Sequence, residues 1–375
     1  MRHDPETAAP EPAATSADPA SATTPGVAGR LTALLPGTAA AAAIAAAATF
    51  AGVLVPVVGA PVFAIVAGIV VSTVRPPSAR LRPGLAFTGK RVLQGSIMVL
   101  GLGLSLRQVL STGQSSLPVL LGTLVVALGV AWVAGRALRL DADLNTLIGV
   151  GTAICGASAI AATDAVLGAD EADVSYAIAT IFTFNVVAVL VYPTLGHVMG
   201  LSQHAFGLWS GTAINDTSSV VAASTVYGHA AASYGVVVKL TRTLAIVPIC
   251  LGLAAWRNRR PAGASGRGRT GATNEGRPHA ATVARFRLRR IVPVFILGFV
   301  AAVVLNTVGL VPLHWHHGLS DLASVMITAA LAAIGLSTSS AHIRRAGARP
   351  ILLGAILWAT VGLVSLALQA ATGTI

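Results

Sequence analysis

One carboxylate and two cations stand inside stretches that are otherwise apolar. Asp216 lies within "SGTAINDTSSVVAAS" (210–224), and Lys239 and Arg242 lie within "VVVKLTRTLAIVP" (236–248). An ionised group at the centre of a bilayer costs at least ~2.5–3.5 kcal/mol on insertion scales, so such groups pair, titrate or line a watery cavity. Thr212, Asp216 and Ser219 recur at i, i+4 and i+7, which puts them on one helical face. Lys239 and Arg242 share a face at i and i+3. Two chemistries fit these types and spacings. One is a buried Asp216–Arg242 ion pair. The other is a cationic pocket in which Arg242 and Lys239 attract an anion and Asp216 couples its occupancy to a proton or sodium ion.

An anion entering a membrane also needs neutral donors to replace its lost hydration. "GVGTAICGAS" (149–158) and "GTAINDTSS" (211–219) are the stretches best able to supply them. Glycines and hydroxyls clustered in mid-stretch mark either an unwound helix, whose freed N–H groups receive anions, or a close small-residue packing face. Both readings stand for 149–158 and for "AIGLSTSS" (333–340). On the first reading, Thr152, Ser158, Asn215 and Ser218 contribute neutral hydrogen bonds.

These groups must be positioned by elements that live in lipid. The chain has 375 residues, 54% hydrophobic and only 10% charged, with a mean hydropathy of +0.78. A soluble domain carries roughly 25% charged residues. Eleven apolar stretches are marked at about 37–55, 61–74, 92–110, 118–135, 145–163, 175–196, 205–226, 233–255, 291–309, 321–340 and 351–371. The expected class is an all-α polytopic membrane protein, since a barrel would show alternating segments of ~10 residues.

Charge supplies the orientation. With a cytoplasmic N-terminus, 22 of the 25 Lys and Arg residues fall in the tail or in inside loops 75–91, 136–144, 197–204, 256–290 and 341–350. The expected outside loops, including acidic 163–173, hold none. The positive-inside rule then puts the N-terminus in the cytoplasm and the C-terminus outside. That pattern also assigns the net charge of +12 to membrane orientation and not to nucleic acid. Residues 1–30 read as a disordered cytoplasmic tail and 31–375 as the membrane domain. The Arg-rich 256–290 reads as a flexible loop, either a solvated linker or a contact for anionic lipid headgroups. The odd segment count leaves segments two to six and seven to eleven as two inverted five-helix repeats. "GTAICGASAIAA" (151–162) recurs sixty residues on as "GTAINDTSSVVAA" (211–223), an echo that does not match a five-segment offset.

Other chemistries fare poorly. Cys155 and Cys250 sit in apolar runs without CxxC spacing, so they read as small buried residues. "HWHHG" (314–318) invites a metal through His314, His316 and His317, but reads better as an interfacial loop. No metal and no cofactor is expected. An intramembrane enzyme is disfavoured: "GASAI" lacks the glycine two residues after Ser158, and Asp216 has no second acid for Mg²⁺. No phosphate-binding G-x-x-x-x-G-K-[ST] loop is present.

"GTAICGASAIAA", "GLWSGTAINDTSSVVAA", "VVVKLTRTLAIVP" and "AAIGLST", taken in order, resemble the YeiH-type sulfate exporter family of bacterial inner-membrane proteins. The resemblance spans most of 37–371 and implies a fold like that of sodium/proton antiporters, with two crossing broken helices. It implies a secondary transporter, exporting or exchanging an anion such as sulfate or a sulfonate. A sodium- or proton-coupled uptake carrier is the alternative, and a homodimer is left open.

Overall fold

A computed structural model describes residues 27–54, 60–258, 294–312, 314–338 and 347–375. The tail reading lies outside these residues except for its last four, which begin the first helix. The loop reading at 256–290 likewise lies outside them beyond 258. Every described element is helical: α1 Val27–Leu54, α2 Ala60–Val74, α3 Arg82–Phe87, a π-turn at Thr88–Val92, α4 Leu93–Gly101, α5 Leu106–Ala137, α6 Ala142–Ala153 and α7 Ala157–Leu167. They continue as α8 Glu171–Val198, α9 Gln203–Ala213, α10 Thr217–Tyr227, α11 His229–Thr243, α12 Ile246–Asn258, α13 Val294–Thr307, α14 Trp315–Ser337 and α15 Ala348–Ala371. Among the described residues six helical stretches are long and apolar enough to cross a membrane, and shorter apolar helices accompany them. The chain is a polytopic helical membrane protein.

Two bundles form. The first gathers α1, α2, α3–α4, α13 and α14 around Ala41, Ile65, Leu85, Ile97, Phe299 and Leu331. The second gathers α5–α12 and α15 around Ile154, Tyr192, Phe206, Trp209, Ile214 and Val361. Val221 of α10 and Val236 of α11 reach into the first core and join the two. Lipid tails are as apolar as leucine, so close packing and buried hydrogen bonds must hold such bundles together. Gly207 and Gly211 of α9 show how: a Cβ at either would come within 2.9 Å of a carbonyl oxygen of α11.

Segments five and seven do not run straight through. Each is a pair of half-helices that turns back on itself. In segment seven, Ser210 of α9 bonds Ser224 of α10 at 2.7 Å, and the rings of Phe206 and Tyr227 stack 3.8 Å apart. Gln203 Oε1, at the start of α9, accepts from the Ala230 N–H beyond the end of α10. In segment five, Gly151 of α6 packs on Ile160 of α7, and Leu144 and Leu167 share one core. Asp173, after α7, comes within electrostatic reach of Asp141 and Asp143 at the start of α6. Half-helices of 11 or 12 residues reach only ~17 Å, about halfway across a ~30 Å core.

The two hairpins enter from opposite ends of the second bundle. We call the end where α5 finishes and α8 begins the near end, and the other the far end. α6–α7 dips in from the near end. α8 then crosses, and Gly196 meets Phe206 and Tyr227 at the far end, where α9–α10 dips in. An inverted relation therefore links hairpin-plus-span α6–α8 to hairpin-plus-span α9–α11, units shorter than five helices, and the sixty-residue echo is their spacing. α14 runs unbroken from Trp315 to Ser337.

Turning both segments back also moves two loops. The acidic 163–173 joins the near end, and the Lys- and Arg-free 197–204 moves to the far end. Arg75, Arg80, Arg82, Arg136, Arg139 and Arg349 remain together at the near end, because the two reversals cancel. "HWHHG" is also corrected: it opens α14, and His316 Nε2 bonds Asn306 Oδ1 at 3.1 Å.

Candidate functional site

The tips of the two hairpins meet, with Gly156 of one packed beside Asn215 of the other. Each helix breaks directly after "GTA", at Ile154–Gly156 and at Ile214–Asp216. Gly156 makes the first turn possible. Its φ of 73° and ψ of −129° lie where a side chain is strained, and a Cβ there would press on Ile181. Asp216 makes the second: its Oδ2 accepts from the N–H groups of Ser218 at 3.0 Å and Ser219 at 3.3 Å, capping α10. The mid-depth acid is thus a helix cap at a turn and not a rung within a helix.

Lys239 and Arg242 hold the other ends. Lys239 Nζ donates to Ile154 O at 3.0 Å and to Ile214 O at 2.6 Å, one carbonyl from each hairpin. Arg242 donates from Nε to Ala153 O at 2.8 Å, from Nη2 to Thr152 O at 3.0 Å, and from Nη1 to Thr212 O. Both side chains are fully enclosed. A helix C-terminus carries unsatisfied carbonyls and about −0.5 of a charge, so two such ends draw two cations. The buried Asp216–Arg242 pair does not form. Both cations are bound to carbonyls of the chain, which corrects the expectation that they lie open in a cavity.

The remaining groups divide by what they touch. Asn185, in the middle of α8, accepts from the N–H groups of both Asn215 and Asp216 at 3.2 Å and pins the second tip. Sequence reasoning passed over it, although a lone amide in the apolar run "TFNVVAVLV" was an available signal. The Thr152 hydroxyl and Asn215 Oδ1 are buried without a hydrogen-bond partner among the described residues. Such orphans are uncommon in interiors, and each calls for an explanation. Ser158 is exposed in the first turn of α7, and Ser218 is half-buried in the first turn of α10. Asp216 is half-buried, and its Oδ1 takes no part in the cap.

The family model described as conserved hypothetical protein 698 matches residues 36–354. The chain belongs to that family. Membership agrees with the YeiH-type resemblance carried by the motifs, and both hairpin tips and α11 lie inside the matched region. Family relatives include a UPF0324 membrane protein of Streptococcus pyogenes serotype M6, 41% identical over 331 residues that cover 86% of this chain and 93% of the relative. Another, from Streptococcus pneumoniae serotype 4, is 40% identical over 332 residues, covering 86% and 93%. No solved structure matches.

Proposed function

We propose that this member of the family is a secondary transporter that exports or exchanges a small anion, such as sulfate or a sulfonate, through the meeting point of the two hairpins. The observation that carries this reading is the enclosure of Lys239 and Arg242 between the tips. The C-terminal ends of α6 and α9 and the N-terminal ends of α7 and α10 contribute opposite partial charges of about 0.5 each, which offset one another. Two cations and one carboxylate then leave an excess of one positive charge, far from water. An anion neutralises it. The unpartnered Thr152 hydroxyl, with the N–H groups opening α7, is the neutral donor set on offer. Asp216 Oδ1 is free to take a proton or a sodium ion, which gives transport a coupling group. That same oxygen favours the runner-up, cation-coupled uptake, which uses the same parts in the opposite direction.

The arginines gathered at the near end support a cytoplasmic near end by the positive-inside rule, and the bacterial relatives support a bacterial inner membrane. The deciding experiment is uptake by the purified chain in liposomes, against a panel of anions with imposed proton and sodium gradients. Anion movement that follows a gradient supports the reading. Transport of none of the panel, by protein that is monodisperse, sinks it.

A further inference from the structure

A cavity of about 150 Å³ opens at the far end, between the two bundles. It is lined by His229 and Ser233 of α11, His316, Leu319 and Ser320 of α14, and the end of α4. Both helices present the same pattern, a histidine followed four residues later by a serine: "HAAAS" from one bundle and "HHGLS" from the other. At i and i+4 each pair lies on one face, so four polar side chains converge from two elements. They are held in place. His229 Nε2 and Ser320 Oγ hydrogen-bond across the gap, and His316 Nε2 donates to Asn306 Oδ1 at 3.1 Å. Among the described residues no carboxylate lines the cavity.

Field and size both select the occupant. His316 lies in the first turn of α14, whose N-terminus points its positive end at this space, while His229 opens α11, where the Ala230 and Ala231 N–H groups are already taken by Gln203 Oε1. The opposing end of α4 is muted, because Val99 O and Leu100 O are already taken by the N–H groups of Leu102 and Gly103. Water occupies ~30 Å³ per molecule, so the space holds on the order of five waters, or one tetrahedral oxyanion with part of its shell.

We propose that this cavity is a vestibule that binds a small oxyanion of the sulfate or sulfonate class at the far end, on the path to the hairpin tips. The choice of ion rests on the anion-transport reading. The geometry of the vestibule does not.

The test uses the full-length protein and inorganic sulfate. In detergent, sulfate is expected to raise the melting temperature of the unaltered chain. His229→Gln/His316→Gln should weaken that binding about tenfold, and Ser233→Ala/Ser320→Ala should weaken it less. In liposomes the histidine double variant should raise KM for sulfate while keeping kcat. Sulfate binding that depends on both histidines in a protein that moves no sulfate sustains the vestibule and removes the transport reading. Sulfate transport with unchanged affinity and KM in both double variants overturns the vestibule and leaves transport standing. Stabilisation by Zn²⁺ that needs the histidines, with no response to sulfate, also overturns it.

Discussion

Ser210 and Ser224 share a 2.7 Å hydrogen bond although 14 residues separate them. In a continuous helix that separation would be ~21 Å. The contact therefore defines a hairpin, and cysteines at the two positions should form a disulfide under mild oxidation in a background lacking Cys155 and Cys250. Absence of the cross-link in folded protein would return segment seven to a straight crossing.

The reversal of both hairpins fixes which loops share a side. Ser78→Cys and Asp170→Cys should react with an impermeant thiol reagent from the same face, and Met199→Cys from the other. Labelling of Asp170→Cys from the face opposite Ser78→Cys would contradict the hairpin at α6–α7.

Arg242 makes three hydrogen bonds to carbonyls of two hairpins. Each charge-assisted bond is worth ~1.5–3 kcal/mol, and stranded carbonyls add a penalty. Arg242→Gln should lower stability by about 3 kcal/mol or more in a detergent melt. Because Asp216 is not its partner, adding Asp216→Asn should restore nothing. Recovery in the double variant would mean that the ion pair exists after all.

Asp216→Asn tests coupling separately. Asparagine still caps a helix, so the fold should persist, while the dependence of transport on pH or sodium should flatten. An unchanged profile would remove the carboxylate from the coupling step.

Backbone geometry gives a sharper contrast. Gly156→Ala is expected to cost about 1–3 kcal/mol for the strained φ. Gly129→Ala in α5 meets nothing within 4 Å and should be neutral or mildly stabilising. Equal melting temperatures for the two would deny the first tip its turn.

Much of this was legible in the residues. Hydropathy marked every helix except the short α3 and the π-turn after it, and the two "GTA" stretches were candidates for breaks. Direction was not legible, because hydropathy registers length and apolarity. A hairpin of two 11-residue helices is as long and as apolar as one crossing. The charge count could not expose the error either, since two reversals preserve the parity of every later segment. Asp216 was singled out for its cost in lipid, but spacing alone could not distinguish a charge facing a ligand from one capping its own helix. For Lys239 and Arg242, the deciding partners are carbonyls that every residue carries and no sequence displays.

The clamp also constrains how the molecule is made. Lys239 and Arg242 lie 85 to 90 residues downstream of the α6 carbonyls they satisfy. At ~5–20 residues per second of synthesis, α6–α7 leaves the ribosome roughly 4–18 s before its cations exist. Bare carbonyls cost several kcal/mol each in hydrocarbon, so the first hairpin has no stable resting place at depth during that interval. It must wait at the surface and sink only when α11 arrives with the second hairpin. Biogenesis thus has an obligatory order, and a nascent chain released before Arg242 holds a hairpin that the bilayer rejects.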